Sequence, residues 1–414
     1  MNITKGDVQE LRRRLKKTEC TFGRLCGCYV NSGKQIVTKF TEQFSELEED
    51  EYYKYLEIAK KTFSGTLGAN LLELEFDRSD SGIEHQKYLL TLKDSKLANE
   101  ELLDRLYEQV IEEYSYPGNY LIVVYHDVYD VPSKATSGED QDESTELYAY
   151  CVCAVCPVEL AKPALGYKED ENRIGARERD WVVGLPDLGF VYPAFANRGS
   201  DVNAVMYYVK TGRPSHPEFI ENVLGCVAQR TAAEDKLAFK NVVHDAFGED
   251  EEQADAAFFQ MQKTISAMVA EREEDESLPP VELTAEAVSG LATEAEVPDE
   301  VRAQIEKSYE QVFGDQPPQA HNVLDSRLVE EGTVKAHTAA LEQKVAVLQQ
   351  ELAHQAANAA DEDDVPWETG TVIDVRMPQE RAANVHTEVV EGQKCLVIPL
   401  TGDESARING VEVE

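Results

Sequence analysis

Long apolar runs are missing from this 414-residue sequence, and no stretch approaches the roughly 20 residues needed to span a bilayer. No membrane span is expected. Basic residues are scarce, 40 Lys and Arg against 79 Asp and Glu, for a formal charge of −39. Such a chain repels nucleic-acid phosphates and anionic lipid over most of its surface, which disfavours broad binding to either. Cysteine is also sparse: eight residues in a chain this long are too few for a disulfide scaffold and read as free thiols. The GxSxG elbow, the Walker A loop, the dinucleotide-binding glycine pattern, HExxH and the EF-hand loop are all absent. Their absence disfavours the standard motif-bearing enzymes and leaves room for an enzyme of unfamiliar type; no cofactor is expected.

The charge is unevenly spread. Residues 1–40 carry a net +6 and could meet an acidic partner or the acidic remainder of the same chain, whereas residues 271–300 carry a net −10 and read as a solvated linker. Met1 to Gly6 lead into a charged helix, and a cytoplasmic location is expected. Length and composition fit several modules: an α+β core over 1–270, an acidic linker and short helical pair over 271–330, an amphipathic heptad-like helix over 331–360, and a second acidic linker with a C-terminal β module over 361–414.

Within the core, Thr4 and Asp7 form a capping box before Val8, Leu11 and Leu15, which share one helical face. A hairpin is expected around Asn31-Ser-Gly33, and helices over about 50–63, 83–92 and 99–114. Tyr120-Leu-Ile-Val-Val-Tyr125 is the clearest buried strand. Ser133 to Glu146 reads as a polar surface loop, followed by a buried cysteine strand, an irregular polar segment, and strands at 181–183, 189–192 and 202–209. Helices over about 217–224, 232–247 and 252–271 follow, then a helical pair at 284–291 and 298–313. Helix and strand signals interleave while strands come in hairpin-like pairs. The fold class is therefore α+β, a mixed or antiparallel sheet covered by helices, with a helical linker region and a small C-terminal all-β module. The tail strands are expected at 371–377, 386–390, 394–400 and 408–413.

Three groups of residues carry possible chemistry. His126, Asp127 and Asp130 follow the central strand, and Asn197, Arg198 and Asp201 follow Pro193-Ala-Phe195. If the two loops meet, the carboxylates could hold a cation and Arg198 an anionic substrate; the favoured alternative is side-chain turns and a structural ion pair. Cys151, Cys153 and Cys156 include a CxxC pair, yet strand alternation sets Cys156 on the opposite face from the other two. Core packing is favoured over a metal or redox site. Gly65 and Gly68 suggest a phosphate loop, but they close a helix and precede a strand, which favours a C-cap and turn. Lastly, Leu341, Val345, Leu348 and Leu352 are spaced 4, 3, 4, with Val334 in phase, as in a coiled coil. Packing on the same chain and a homodimer through residues 334–356 both fit that pattern.

Glu10-Leu-Arg-Arg-Arg14, Gly27-Cys-Tyr-Val-Asn31, Ser64-Gly-Thr-Leu-Gly68, Gly118-Asn-Tyr-Leu-Ile122 with His126-Asp127 and Tyr129-Asp-Val-Pro132, Cys156-Pro157, and Leu188-Gly-Phe-Val-Tyr-Pro-Ala-Phe195 together resemble the uncharacterised bacterial family of domain of unknown function 4317. The likeness holds to about Val209 and returns in the helical pair and the final β segment; the helix around Leu341 to Leu352 looks like an insertion. The resemblance implies a cytoplasmic bacterial protein and brings no activity or catalytic residue with it. The leading expectation is a binding or regulatory protein with a protein partner; the alternative is a metal-dependent hydrolase using His126, Asp127 and Asp130.

Overall fold

The computed structural model describes residues 3–16, 18–134, 140–273, 280–314, 316–359, 385–390, 393–399, 406–408 and 411–413. The chain forms two compact units, residues 1–336 and 337–414.

The first unit is built on one antiparallel sheet. Its strands are β1 (Arg24–Val30), β2 (Ile36–Gln43), β3 (Leu71–Glu75), β4 (Asn119–Lys134), β5 (Asp140–Leu160), β8 (Trp181–Val183), β9 (Leu188–Tyr192) and β12 (Ala204–Val209), in the order β2-β1-β4-β5-β9-β12-β3 with β8 paired to the end of β5. The small hairpins β6 (Leu165–Lys168) with β7 (Arg173–Ala176), and β10 (Ala194–Ala196) with β11 (Gly199–Asp201), lie outside it. Helices cover both faces. On one, α3 (Asp80–Asp94), α4 (Glu100–Glu113), α5 (Pro217–Phe219) and the π turn Ile220–Leu224 pack on Ile122, Val124, Cys153 and Tyr207. On the other, α1 (Lys5–Arg14) and α2 (Glu49–Thr62) pack on Leu121, Val123, Tyr125, Val152 and Tyr208. A strand buried on both faces has no need of polar alternation, which is why residues 120–125 are continuously apolar. Each fully buried Ile, Val or Leu there stabilises the fold by about 1.5–3 kcal/mol.

Local chemistry explains the boundaries. The Thr4 hydroxyl accepts from Asp7 N while Asp7 accepts from Thr4 N, the capping box read from sequence. Asn31 Oδ1 accepts from Gly33 N at 2.9 Å and Gln35 N at 3.0 Å, which closes the β1–β2 turn. The glycine turn 64–68 follows α2 and leads into β3, with Gly65 and Gly68 in the left-handed region. It caps and redirects the chain, and it opens no helix.

Three segments differ from the sequence reading. The loop expected at 133–146 is largely strand, because the β4–β5 ladder absorbs Pro132 at two register irregularities and continues to Lys134 and Asp140; residues 135–139 lie outside the described residues. The irregular segment at 161–180 is a β-ribbon. The β5–β8 pairing of Val158 with Val183 and Leu160 with Trp181 keeps its register through the Ala161 N to Asp180 O and Arg177 N to Ala164 O bonds, then through β6–β7 to Lys168 opposite Arg173. Third, packing crosses residue 270. Helices α6 (Ala232–Phe247), α7 (Glu251–Glu273), α8 (Ala285–Glu294), α9 (Asp299–Phe313) and α10 (Ala320–Val323) share one core, with Ile305, Tyr309 and Phe313 among Phe239, Val242 and Met261. Complementary apolar faces outweigh the acidity of the connecting residues; 274–279 lie outside the described residues.

Helix α11 (Ser326–Ala359) follows. In the second unit, β13 (His386–Val390) pairs with β14 (Gln393–Val397) and β15 (Ala406–Ile408) with β16 (Val411–Val413). The strand expected at 371–377 and the linker at 361–364 lie outside the described residues. Among the described residues no helix is long and apolar enough to cross a membrane.

Candidate functional site

The residues expected to carry chemistry lie close in sequence and apart in space. His126 and Asp127 are neighbours on β4 and therefore face opposite sides of the sheet. Both are buried, while Asp130 is exposed and about 13 Å further along the strand from His126. Burial holds the His126 imidazole below its ordinary value against the opposing pull of Asp127. The three side chains do not converge.

Asp127 instead anchors the N-terminal segment. Its side chain is 1% exposed. It accepts from Arg14 Nη1 at 3.2 Å, the Thr21 hydroxyl at 2.6 Å, the Tyr150 hydroxyl at 2.7 Å and Val128 N at 2.9 Å. Burial and the neighbouring Asp127 keep the Tyr150 phenol protonated, as a donor must be. The Arg14 guanidinium also covers the Tyr129 ring, 3.8 Å from its centroid. Arg198 belongs to the same face and pairs elsewhere. Its Nη2 donates to Glu10 Oε1 at 3.0 Å and Pro132 O at 2.8 Å, and Tyr129 donates to the same Glu10 oxygen at 2.8 Å. Asn197 and Arg198 are the left-handed centre of the β10–β11 turn, and both backbone N–H groups donate to the buried Asp7. The structural ion pair expected between Arg198 and the β4 carboxylates is thus replaced by two, Arg198–Glu10 and Arg14–Asp127. The basic N-terminal end meets an acid of its own chain.

Cys151 and Cys153 lie in the core under α3 and α4, Cys156 in the core under α2. Burial pushes all three thiols far up, which leaves them protonated and poorly nucleophilic. Among the described residues no group of three or more His, Cys, Asp or Glu side chains is placed to hold a metal ion.

Two features are larger than the sequence suggested. Along α11, Val334, Leu341, Val345 and Leu348 are 65, 48, 52 and 57% exposed. The ribbon ending in β6–β7 exposes Leu165, Tyr167 and Ile174, with Trp181, Val182 and Val183 at its base. Tyr167 pairs across the ribbon with Ile174, and Gly166 with Gly175. A Cβ on Gly175 would meet the Arg173 guanidinium and Lys168 Cδ, so the glycine face is covered by cations and the opposite face is apolar. The alternation Leu165-x-Tyr167 facing Ile174-x-Ala176 was the signal available in sequence.

The fold and these clusters define an α+β protein organised around one antiparallel sheet with helices on both faces, carrying internal polar anchors and external apolar faces. The chain belongs to the family described as domain of unknown function DUF4317, whose model matches residues 1–411. No curated protein and no solved structure matches it.

Proposed function

We propose that the chain is a binding or regulatory protein that pairs with a second copy of itself through α11. The observation that supports this reading is the exposed seam. Leucine and valine at Leu341, Val345 and Leu348 follow the 4, 3 spacing of coiled-coil core positions, and their side chains stay in solvent. A 34-residue helix exposing such a seam gains most from a partner of the same spacing, and a second copy supplies one. Glu342, Gln343, Gln349 and Gln350 keep the flanks polar, as a paired helix requires. The apolar face of the ribbon is a further surface suited to a protein partner. The hydrolase reading asks for His126, Asp127 and Asp130 around one substrate, and the opposed faces of His126 and Asp127 on β4 support the binding reading over it.

Two differently tagged copies expressed together test the proposal. Wild-type copies should co-purify, and a Leu341→Asp, Leu348→Asp variant should separate them while its circular dichroism keeps the α+β signature. Wild-type tags that do not co-purify, or variant tags that still do, would overturn it.

A further inference from the structure

The outer edge of β8 supports a second inference, which extends the binding reading to a different partner and stands whether or not α11 pairs. β9 and β8 lie end to end along the same side of β5, opposite residues 151–155 and 158–160, with residues 184–187 as the kink between them. β12 covers the outer side of β9 and ends at Val209. Among the described residues β8 therefore pairs with β5 alone. The bonds on either side of it fix its backbone: Ala161 N donates to Asp180 O and Gly184 N to Pro157 O, both at 2.8 Å. Antiparallel alternation then turns the Val182 N–H and C=O toward β5 and directs those of Trp181 and Val183 outward. The side chains of Trp181, Val182 and Val183 are 56, 52 and 41% exposed, so the edge is open in backbone and in side chain.

The two faces of this edge differ. Val182 lines a cleft of about 360 Å³ whose wall includes Pro157 and Leu185 and whose cations are Lys162, Lys210 and Arg213. Lys210 Nζ and Arg213 Nη2 share one buried carboxylate, Asp187, at 3.2 and 3.3 Å, and both cations stay half-exposed. Lys162 is exposed and forms no ion pair among the described residues. Even with Asp187 and the exposed Glu159 counted, the cleft keeps a net positive charge on a chain of formal charge −39. Trp181 and Val183 alternate to the other face and present apolar surface there. A strand added beside β8 would alternate in step, with carboxylates over the cations and apolar side chains beside Trp181 and Val183. We propose that β8 takes an extended peptide of alternating acidic and apolar residues as a further strand in line with β12, its main chain bonding Trp181 and Val183 and its carboxylates meeting Lys162, Lys210 and Arg213. Pairing with the β8 of a second copy would bring two positive clefts together, so an acidic segment of another protein is the better occupant.

Trp181 reports on the edge directly. The chain has two tryptophans, so the emission of the full chain carrying Trp367→Phe follows Trp181 alone. A blocked seven-residue peptide alternating valine and aspartate should give a saturable one-to-one blue shift as the indole is covered. The same peptide with lysine for aspartate should bind more weakly by at least about tenfold, and so should the aspartate peptide N-methylated throughout, which has no N–H to donate to the edge. Lys162→Glu should weaken the aspartate peptide about tenfold, the equivalent of one charge-assisted contact. Val183→Pro should abolish the shift, because its ring replaces an outward N–H and leaves the ladder to β5 intact. Should Val183→Pro fail to fold, the exposed Lys162→Glu decides alone. Absence of a saturable shift up to roughly 1 mM peptide, equal binding of the lysine or N-methylated peptide, or unchanged affinity in the folded variants would each overturn the proposal. So would a blue shift that grows with protein concentration in the absence of peptide, since a second copy would then cover the edge.

Discussion

Replacing Asp127 by alanine separates an anchor from a reaction centre. In the native fold the carboxylate accepts four hydrogen bonds, and its removal takes the anionic partner from the Arg14 guanidinium, 12% exposed, and the acceptor from the buried Tyr150 hydroxyl. Breaking a buried ion pair by deleting one partner costs about 3–5 kcal/mol. Orphaning a buried hydroxyl costs about 1–3 kcal/mol. The two losses share one side chain and do not add, so a total of about 3–5 kcal/mol is expected. Tyr150→Phe alone should cost about 1 kcal/mol, and much less in the Asp127→Ala background, where the hydroxyl has already lost its acceptor. Urea unfolding followed by circular dichroism reads both, with the slope unchanged between variants. A carboxylate kept for chemistry behaves differently, since removing it leaves stability level or raises it. A loss below about 1 kcal/mol for Asp127→Ala would refute the anchoring role.

Gly189→Ala should destabilise by about 1–3 kcal/mol, because its Cβ would sit 2.6 Å from Cys153 O and 2.7 Å from Thr62 Cγ2, where α2 presses on the sheet; thermal melting with a native-like midpoint would contradict this. Native-state alkylation at neutral pH should modify half-exposed Cys395 first. It should spare Cys28, held up at about 11, and Cys151, Cys153 and Cys156 until the chain unfolds, so fast labelling of Cys153 in folded protein would be the failing result. Burial holds His126 and His216 below the ordinary 6.5, so the unfolded chain binds protons first as pH falls. Their stability contribution is complete above pH 6.5 and declines below it, and His126→Gln should flatten the decline of the melting temperature as pH falls below 6.5. An unchanged slope would assign the acid sensitivity elsewhere.

Elements with local signals were legible. The Thr4–Asp7 box, the Asn31 turn and the apolar run 120–125 each state their conformation within a few residues, and all are present. The β6–β7 ribbon was missed because two glycines and a run of charges dilute its alternation, and its pairing is set by the β5–β8 register that it extends. Charge misled in two places. The acids of 271–300 suggested separation, whereas the apolar faces of α8 and α9 close on α6 and α7. His126-Asp127 looked like a paired constellation, although strand alternation was sufficient to set them on opposite faces. The hydrogen bond from Asn322 to Gly68 O could not be read at all. Gly68 and Asn322 are 254 residues apart, and only the packed fold joins them.

The mass of the full chain in solution tests the central claim most directly. Light scattering across a concentration series should give twice the 46.3 kDa chain mass for the wild type at micromolar concentration, and the single-chain mass for Leu341→Asp, Leu348→Asp with the body still folded. A wild-type chain that remains at 46.3 kDa at the highest concentration, or a variant that loses stability with no change in mass, would contradict the account and make α11 an internal packing element.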